Sequence, residues 1–152
     1  VAKTPVLLIG SGAREHAIAD ALIAGGAEIY AYMQMLNPGI KRLAKKIAVG
    51  RAEDTTAAVS FAKENSVELA VIGPEAPLAA GMVDELEKAG VKCVGPTKEQ
   101  AQLETSKAFA KNLMLKHGIE GLPNSYCSCS TFLHKSARRS ISNCFSLYCA
   151  CV

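Results

Sequence analysis

Val6-Leu7-Leu8-Ile9-Gly10-Ser11-Gly12-Ala13-Arg14-Glu15-His16-Ala17 is an apolar run that stops at glycine, turns through Gly-Ser-Gly and enters a charged, alanine-rich stretch. It reads as strand, tight loop and helix. The glycines let the backbone bend sharply and let a ligand approach it closely. The first amides of the helix have no intrahelical acceptor and point at whatever lies in front of them, which favours an anion such as phosphate. Arg14 adds a permanent fork-shaped cation at the same end. The blander reading is a strand-to-helix turn that uses glycine for geometry alone. The stretch also departs from the dinucleotide fingerprint, because Glu15 stands at the third glycine position. The second apolar run, Ile29 to Tyr32, continues into Met33-Gln34 rather than an acid able to hold a ribose. NAD is therefore disfavoured.

Working outward, Pro5 to Ile9 is expected as strand one. A helix from about Arg14 to Ala24 follows, with Ala17, Ile18, Ala21 and Leu22 on its buried face and Gly25-Gly26 at its end. Strand two is expected over Ala27 to Met33. Asn37-Pro38-Gly39 is a turn by composition, and the basic segment Lys41 to Lys46 leads to a short strand, Ile47 to Val49. Glu53-Asp54-Thr55 opens a helix that buries Ala57, Ala58, Phe61 and Ala62. The nearly continuous apolar run Val67 to Ile72 suits a strand covered on both faces. It ends in the loop Gly73-Pro74-Glu75-Ala76-Pro77-Leu78, followed by a helix from Ala79 to Ala89 that packs Met82, Val83 and Leu86. Val91 to Val94 is the last strand, closed by Gly95-Pro96-Thr97. One or two helices from Lys98 to His117 are expected to bury Leu103, Phe109, Ala110 and Leu113. This alternation predicts an α/β fold, a Rossmann-like parallel sheet with helices on both faces. Ligands of such sheets sit beyond the carboxyl ends of the strands. The loops Gly10 to Arg14, Gly73 to Leu78 and Gly95 to Thr97 are expected to line one cleft there.

Glu75 is a carboxylate in a segment stiffened by Pro74 and Pro77. Held there, it can accept hydrogen bonds from paired sugar hydroxyls while the glycine loop holds the sugar's phosphate; taken alone, it is equally a solvated acid. Glu15 favours the helix dipole, and His16 packs or caps, with no partner for acid–base work. Lys107, after Ser106 near a helix start, reads by itself as a solvated lysine.

Composition narrows the classes further. The 152 residues suffice for one domain with a real core, and no apolar run is long enough to span a bilayer. No basic segment followed by an apolar stretch opens the chain, so no secretory signal is expected. There are 17 Lys and Arg against 14 Asp and Glu. All the acids precede residue 125, and the surplus is Lys135, Arg138 and Arg139. The body is thus neutral, which argues against a nucleic-acid partner. Of six cysteines only Cys93 lies in the body, as expected for a small core residue of a reduced, cytoplasmic protein.

Taken in order, Gly10 to Ala17, Asn37-Pro38-Gly39, Gly73 to Leu78, and Gly95-Pro96-Thr97 through Leu103-Glu104-x-Ser106-Lys107 resemble the phosphoribosylamine–glycine ligase family, the glycinamide ribonucleotide synthetases of de novo purine synthesis. The resemblance covers residues 4–122, and several ordered motifs are far more specific than one glycine loop. It implies the Rossmann-like domain that precedes an ATP-grasp fold. By that resemblance Gly10, Ser11, Gly12, Ala13 and Arg14 would hold the 5-phosphate of phosphoribosylamine. Glu75, with Gly73 and Pro74, would take the ribose hydroxyls, and Lys107 would face the ATP site. The family activates the carboxylate of glycine as an acyl phosphate with ATP and Mg²⁺, and the amine of phosphoribosylamine attacks it to give glycinamide ribonucleotide. Ala13 stands where a glycine is common and narrows the loop slightly.

The resemblance ends after Gly118-Ile119-Glu120-Gly121-Leu122-Pro123. It implies three segments: a phosphosugar-binding domain over 1–104, a helix and the start of the ATP-grasp region over 105–123, and an aberrant tail over 124–152. That tail has no acid, many serines and five cysteines. An out-of-frame translation, a metal-binding or disulfide tail, and a basic Ser-rich interaction segment all remain open; the abrupt change of composition favours the first. Without ATP-grasp lobes the chain is expected to carry no catalytic or metal-binding residues, to bind neither ATP nor Mg²⁺, and to be inactive alone. The alternative is a non-catalytic phosphosugar-binding module.

Overall fold

The computed structural model describes residues 3–119. The tail over 124–152 lies outside the described residues. Five strands, β1 (Pro5–Ile9), β2 (Glu28–Met33), β3 (Lys46–Val49), β4 (Leu69–Ile72) and β5 (Lys92–Val94), alternate with helices. These are α1 (Ala13–Ala24), α2 (Pro38–Leu43), α3 (Thr55–Glu64), α4 (Glu75–Ala80), α5 (Met82–Lys88), α6 (Lys98–Thr105) and α7 (Lys107–Lys116). All strand pairs are parallel, in the order β3-β2-β1-β4-β5. The first compact unit ends at Ala110, and the second begins within α7 at Lys111.

Strand β1 is central because it can be buried on both faces. Leu7 and Ile9 join Tyr30, Tyr32, Ala70 and Ile72 beneath α3 and α5, where Ala58, Phe61, Met82, Val83 and Leu86 close the layer. On the opposite face Leu8 joins Ile29, Ala31 and Met33 beneath Ala19 of α1 and Ile40 of α2. Two apolar layers thus sandwich one sheet. Parallel strands need such cover, since their crossovers carry helices to the faces.

Several local expectations are corrected. Ala17 and Ala21 of α1 are exposed, and the inward face is instead Glu15 and Ala19, with Ile18, Leu22 and Ile23 half-buried. The Asn37-Pro38-Gly39 turn is the start of α2: Asn37 caps it and Pro38 supplies a preset φ at the first helical position. The Gly73 to Leu78 loop is helical from Glu75 onward, and Gly81, in the left-handed conformation at φ 91°, separates α4 from α5. Past β5 there are two helices, divided at Ser106, whose backbone is extended. Leu103 is 51% exposed and Phe109 36%, and α7 contributes no buried residue. An apolar period identifies a face but not whether anything covers it.

Candidate functional site

In the order β3-β2-β1-β4-β5 the chain leaves β1 for β2 on one side and returns to β4 on the other. The crevice outside the carboxyl ends of β1 and β4 is therefore the topological switch point, where ligands of open α/β sheets sit. Backbone hydrogen bonds carry the sheet past its strand ends here. The Gly10 amide donates to the Tyr32 carbonyl at 3.0 Å, and the Gly73 amide to the Ile9 carbonyl at 3.1 Å. A cavity of about 270 Å³ opens at this edge, lined by Gly10, Ser11 and Gly12 from the first loop, Glu15 from α1, Tyr32 from β2 and Gln34 just after it, and Pro74 and Ala76 from the β4 side.

Gly10 has φ 131°, which L side chains rarely adopt, and a Cβ there would run into the Glu15 side chain and the Pro74 ring. A Cβ at Gly73 would overlap the Glu15 carboxylate from the other side. Glu15 is 4% exposed and fills the space these two glycines leave. Its carboxylate accepts the Gly12 amide at 2.7 Å and the Arg14 Nε–H at 3.1 Å. Arg14 in turn donates from its terminal nitrogen to the Gly73 carbonyl at 2.5 Å.

Asn37 ties a third element to the loop. Its Oδ1 accepts the amides of Gly39 and Ile40 at 2.8 and 3.3 Å. Its Nδ2 donates to the carbonyls of Ser11 and Gly12 at 3.0 and 3.4 Å. Beside it the His16 ring occupies the place of a Cβ at Gly39, and His16 Nε2 lies 3.8 Å from Asp20 Oδ2. The reading of His16 as a packing residue suits this arrangement. On the β2 side the Tyr32 hydroxyl donates to the Arg51 carbonyl at 3.2 Å. Burial, with a smaller contribution from Asp54, raises its pKa above the ordinary phenol value, so it remains a neutral donor.

Among the residues singled out from sequence, Gly10, Ser11, Gly12 and Pro74 line the cavity together. Ala13 and Arg14 begin α1 beside it, with Arg14 turned to the Gly73 carbonyl. Glu75 is the exposed first residue of α4, between the lining residues Pro74 and Ala76. Lys107 is the exposed first residue of α7. One expectation about the cleft is corrected: Gly95 to Thr97 do not line it. They follow β5, the edge strand separated from β1 by β4, and Gly95 packs near Leu78, Val83 and Ile72 instead. Sequence reasoning missed Tyr32, Gln34 and Ala52 as lining residues and the loop-tying role of Asn37. Tyr32 and Gln34 were accessible in principle, since β2 ends beside β1. Ala52 carries no signal.

Among the described residues no group of three or more His, Cys, Asp or Glu side chains is placed to hold a metal ion, and no helix is long and apolar enough to cross a membrane.

Residues 4–104 match the family model for the phosphoribosylglycinamide synthetase N domain. The chain is 51% identical over 116 residues to a phosphoribosylamine–glycine ligase of Pyrococcus furiosus, covering 76% of this chain and 26% of that protein. With the ligase of Methanosphaera stadtmanae the identity is 53% over the same shares. The chain thus spans about a quarter of the length of these relatives. Among solved structures, the fold superposes on N5-carboxyaminoimidazole ribonucleotide synthetase from Thermotoga maritima with a TM-score of 0.62 at 15% identity, covering 76% of this chain and 31% of that one. A glycinamide-RNase-transformylase T from Mycobacterium tuberculosis gives 0.61 at 21% identity, over 74% and 35%. The motifs, the switch-point loops and the family model agree: this chain belongs to the phosphoribosylglycinamide synthetase N-domain family.

Proposed function

We propose that the chain is the phosphosugar-binding part of a phosphoribosylamine–glycine ligase, holding 5-phosphoribosylamine, or the product glycinamide ribonucleotide, at the β1/β4 crevice. The observation that carries this reading is the meeting of the Gly10–Gly12 loop and the Pro74–Ala76 segment around one small cavity of about 270 Å³. That volume lies just below the usual range of ligand sites, about 300–1,000 Å³, which suits a phosphosugar better than a dinucleotide. In this reading the first-turn amides of α1, from Ala13 and Arg14, take the 5-phosphate, aided by the helix dipole and the Arg14 charge. Glu75 accepts hydrogen bonds from the ribose hydroxyls at the mouth, beside Gly73 and Pro74. Fixed at both ends, the sugar presents its amine outward in one orientation, which removes orientational freedom before attack on an activated glycine.

ATP would supply that activation in the whole ligase, with Lys107 on the ATP side. The described residues do not fit a Mg²⁺ ion, since they bring no acidic cluster together, and no step through the metal is assigned to them. The segmentation 1–104, 105–123 and 124–152 belongs to the same proposal, as does a cytoplasmic setting.

Calorimetric titration of the full chain tests the reading. Ribose 5-phosphate should bind saturably and be displaced by glycinamide ribonucleotide, and Glu75→Gln should weaken it while leaving inorganic phosphate unaffected. NAD should give no heat. Tighter binding of NAD than of ribose 5-phosphate would overturn the assignment. Binding without ATP-dependent ligation would leave the chain a non-catalytic phosphosugar module.

A further inference from the structure

We infer that Glu15 is a positioning residue that holds the glycine loop and the β4 loop at one separation, so that the crevice accepts a single phosphate carried on a short sugar. The inference rests on the phosphosugar reading and adds to it the residue that sets the ligand's reach.

Glu15 is the one charged side chain classed as buried among the described residues, at 4% exposure. A carboxylate is taken out of water only where hydrogen bonds and charge compensate it. Both are present in the Gly12 amide and the Arg14 guanidinium. Because Arg14 also donates to the Gly73 carbonyl, an unbroken chain runs from the Gly12 amide through Glu15 and Arg14 to the end of β4. The methylene and carboxyl atoms of Glu15 occupy the space where Cβ atoms of Gly10 and Gly73 would lie, so the two loops close onto the same side chain. The phosphate end and the ribose end of the crevice are therefore coupled through one residue.

Two consequences bear on the ligand. The Gly12 amide is already satisfied, so a phosphate must rely on the amides further into α1. Glu15 also lines the cavity. With the Gly12 amide taken by Glu15, the loop lacks the further free donor that a second phosphate, as a dinucleotide would bring, would need. This residue stands where the dinucleotide fingerprint needs its third glycine.

The test compares ribose 5-phosphate with inorganic phosphate on the full chain and on Glu15→Gln. Glutamine keeps the shape and can accept the Gly12 amide, but it loses the charge that holds Arg14. A positioning role predicts that ribose 5-phosphate weakens about tenfold, the worth of one charge-assisted hydrogen bond. Inorganic phosphate, which reaches only one loop, should stay within about twofold. A purely structural role would move both affinities together, and either that or no change in both overturns the inference. Should Glu15→Gln fail to fold, Glu15→Asp keeps the charge but draws the carboxylate back by one methylene from the space between Gly10 and Gly73, and the same split is expected. If the unaltered chain binds neither probe, the phosphosugar reading itself falls, a result visible before any variant is made.

Discussion

At the scale of single residues, close approach rather than charge explains most of what is unusual around the crevice. The His16 ring fills the space next to Gly39, so the two positions depend on each other. Gly39→Ala adds helix propensity to α2 but forces the imidazole aside. A double-mutant cycle with His16→Ala should therefore show a coupling of about 0.5–3 kcal/mol, read from urea unfolding. Additive costs would mean that the ring swings clear without penalty. Cys93 gives a second residue-level case. Its Sγ lies 3.6 Å from the Val91 carbonyl and 3.9 Å from that of Val83. Burial, with a smaller push from Glu87, raises its thiol pKa from 9.0 to about 11. Its neutral form is thus favoured by folding. That contribution is complete below about pH 9 and is lost as pH rises through 9.0 towards about 11. Alkylation of Cys93 at pH 8, followed by peptide mapping, should be much slower in the native chain than in urea. Equal rates would show that the thiolate is accessible.

At the scale of elements, short helices act as fasteners for the loop. Helix α2 spans only Pro38–Leu43, too short to be stable by itself, yet its Asn37 cap also grips the Ser11 and Gly12 carbonyls. Asn37→Ala should cost about 1–2 kcal/mol through the lost cap. It should also speed amide hydrogen exchange at Gly12 and Ala13, measured by NMR. Exchange confined to α2 would show that the loop holds its shape without this tie. At Thr97 a capping box with Gln100 opens α6 at Lys98, the helix start that the sequence indicated. At Asn37 the Pro-Gly pair that follows reads more naturally as a turn. What decides for helix is burial of Ile40 against the sheet, which local composition does not reveal.

For the whole molecule, burial is concentrated in the two layers that cover the sheet. Leu8 is completely buried between β1's neighbours and Ala19, whereas Leu103 on α6 is 51% exposed. Leu8→Ala should cost about 2–5 kcal/mol because the packed layer cannot collapse into the space. Leu103→Glu should change stability by no more than about 0.5 kcal/mol. Chemical denaturation of both variants checks the contrast. A large loss for Leu103→Glu would mean that α6 packs more tightly than its exposure indicates.

The order of elements, the parallel sheet and the glycine loop were legible in the sequence, because apolar period, turn chemistry and the β–α alternation are local properties. β1 is Pro5–Ile9 as its apolar run indicated; β2, β4 and β5 start one or two residues later than expected, and β3 one residue earlier. Which loops share a crevice is not local. The order β3-β2-β1-β4-β5 brings the β1 and β4 loops together and leaves Gly95 to Thr97 beyond them. That order also sets Tyr32 and Gln34, around the end of β2, beside the β1 loop in the lining. Glu15, which in sequence is a first-turn acid like many others, is buried because α1 lies across the switch point and two glycines from distant parts of the chain leave room for it. Periodicity determines what an element is; the packing of elements against one another decides which side chains meet.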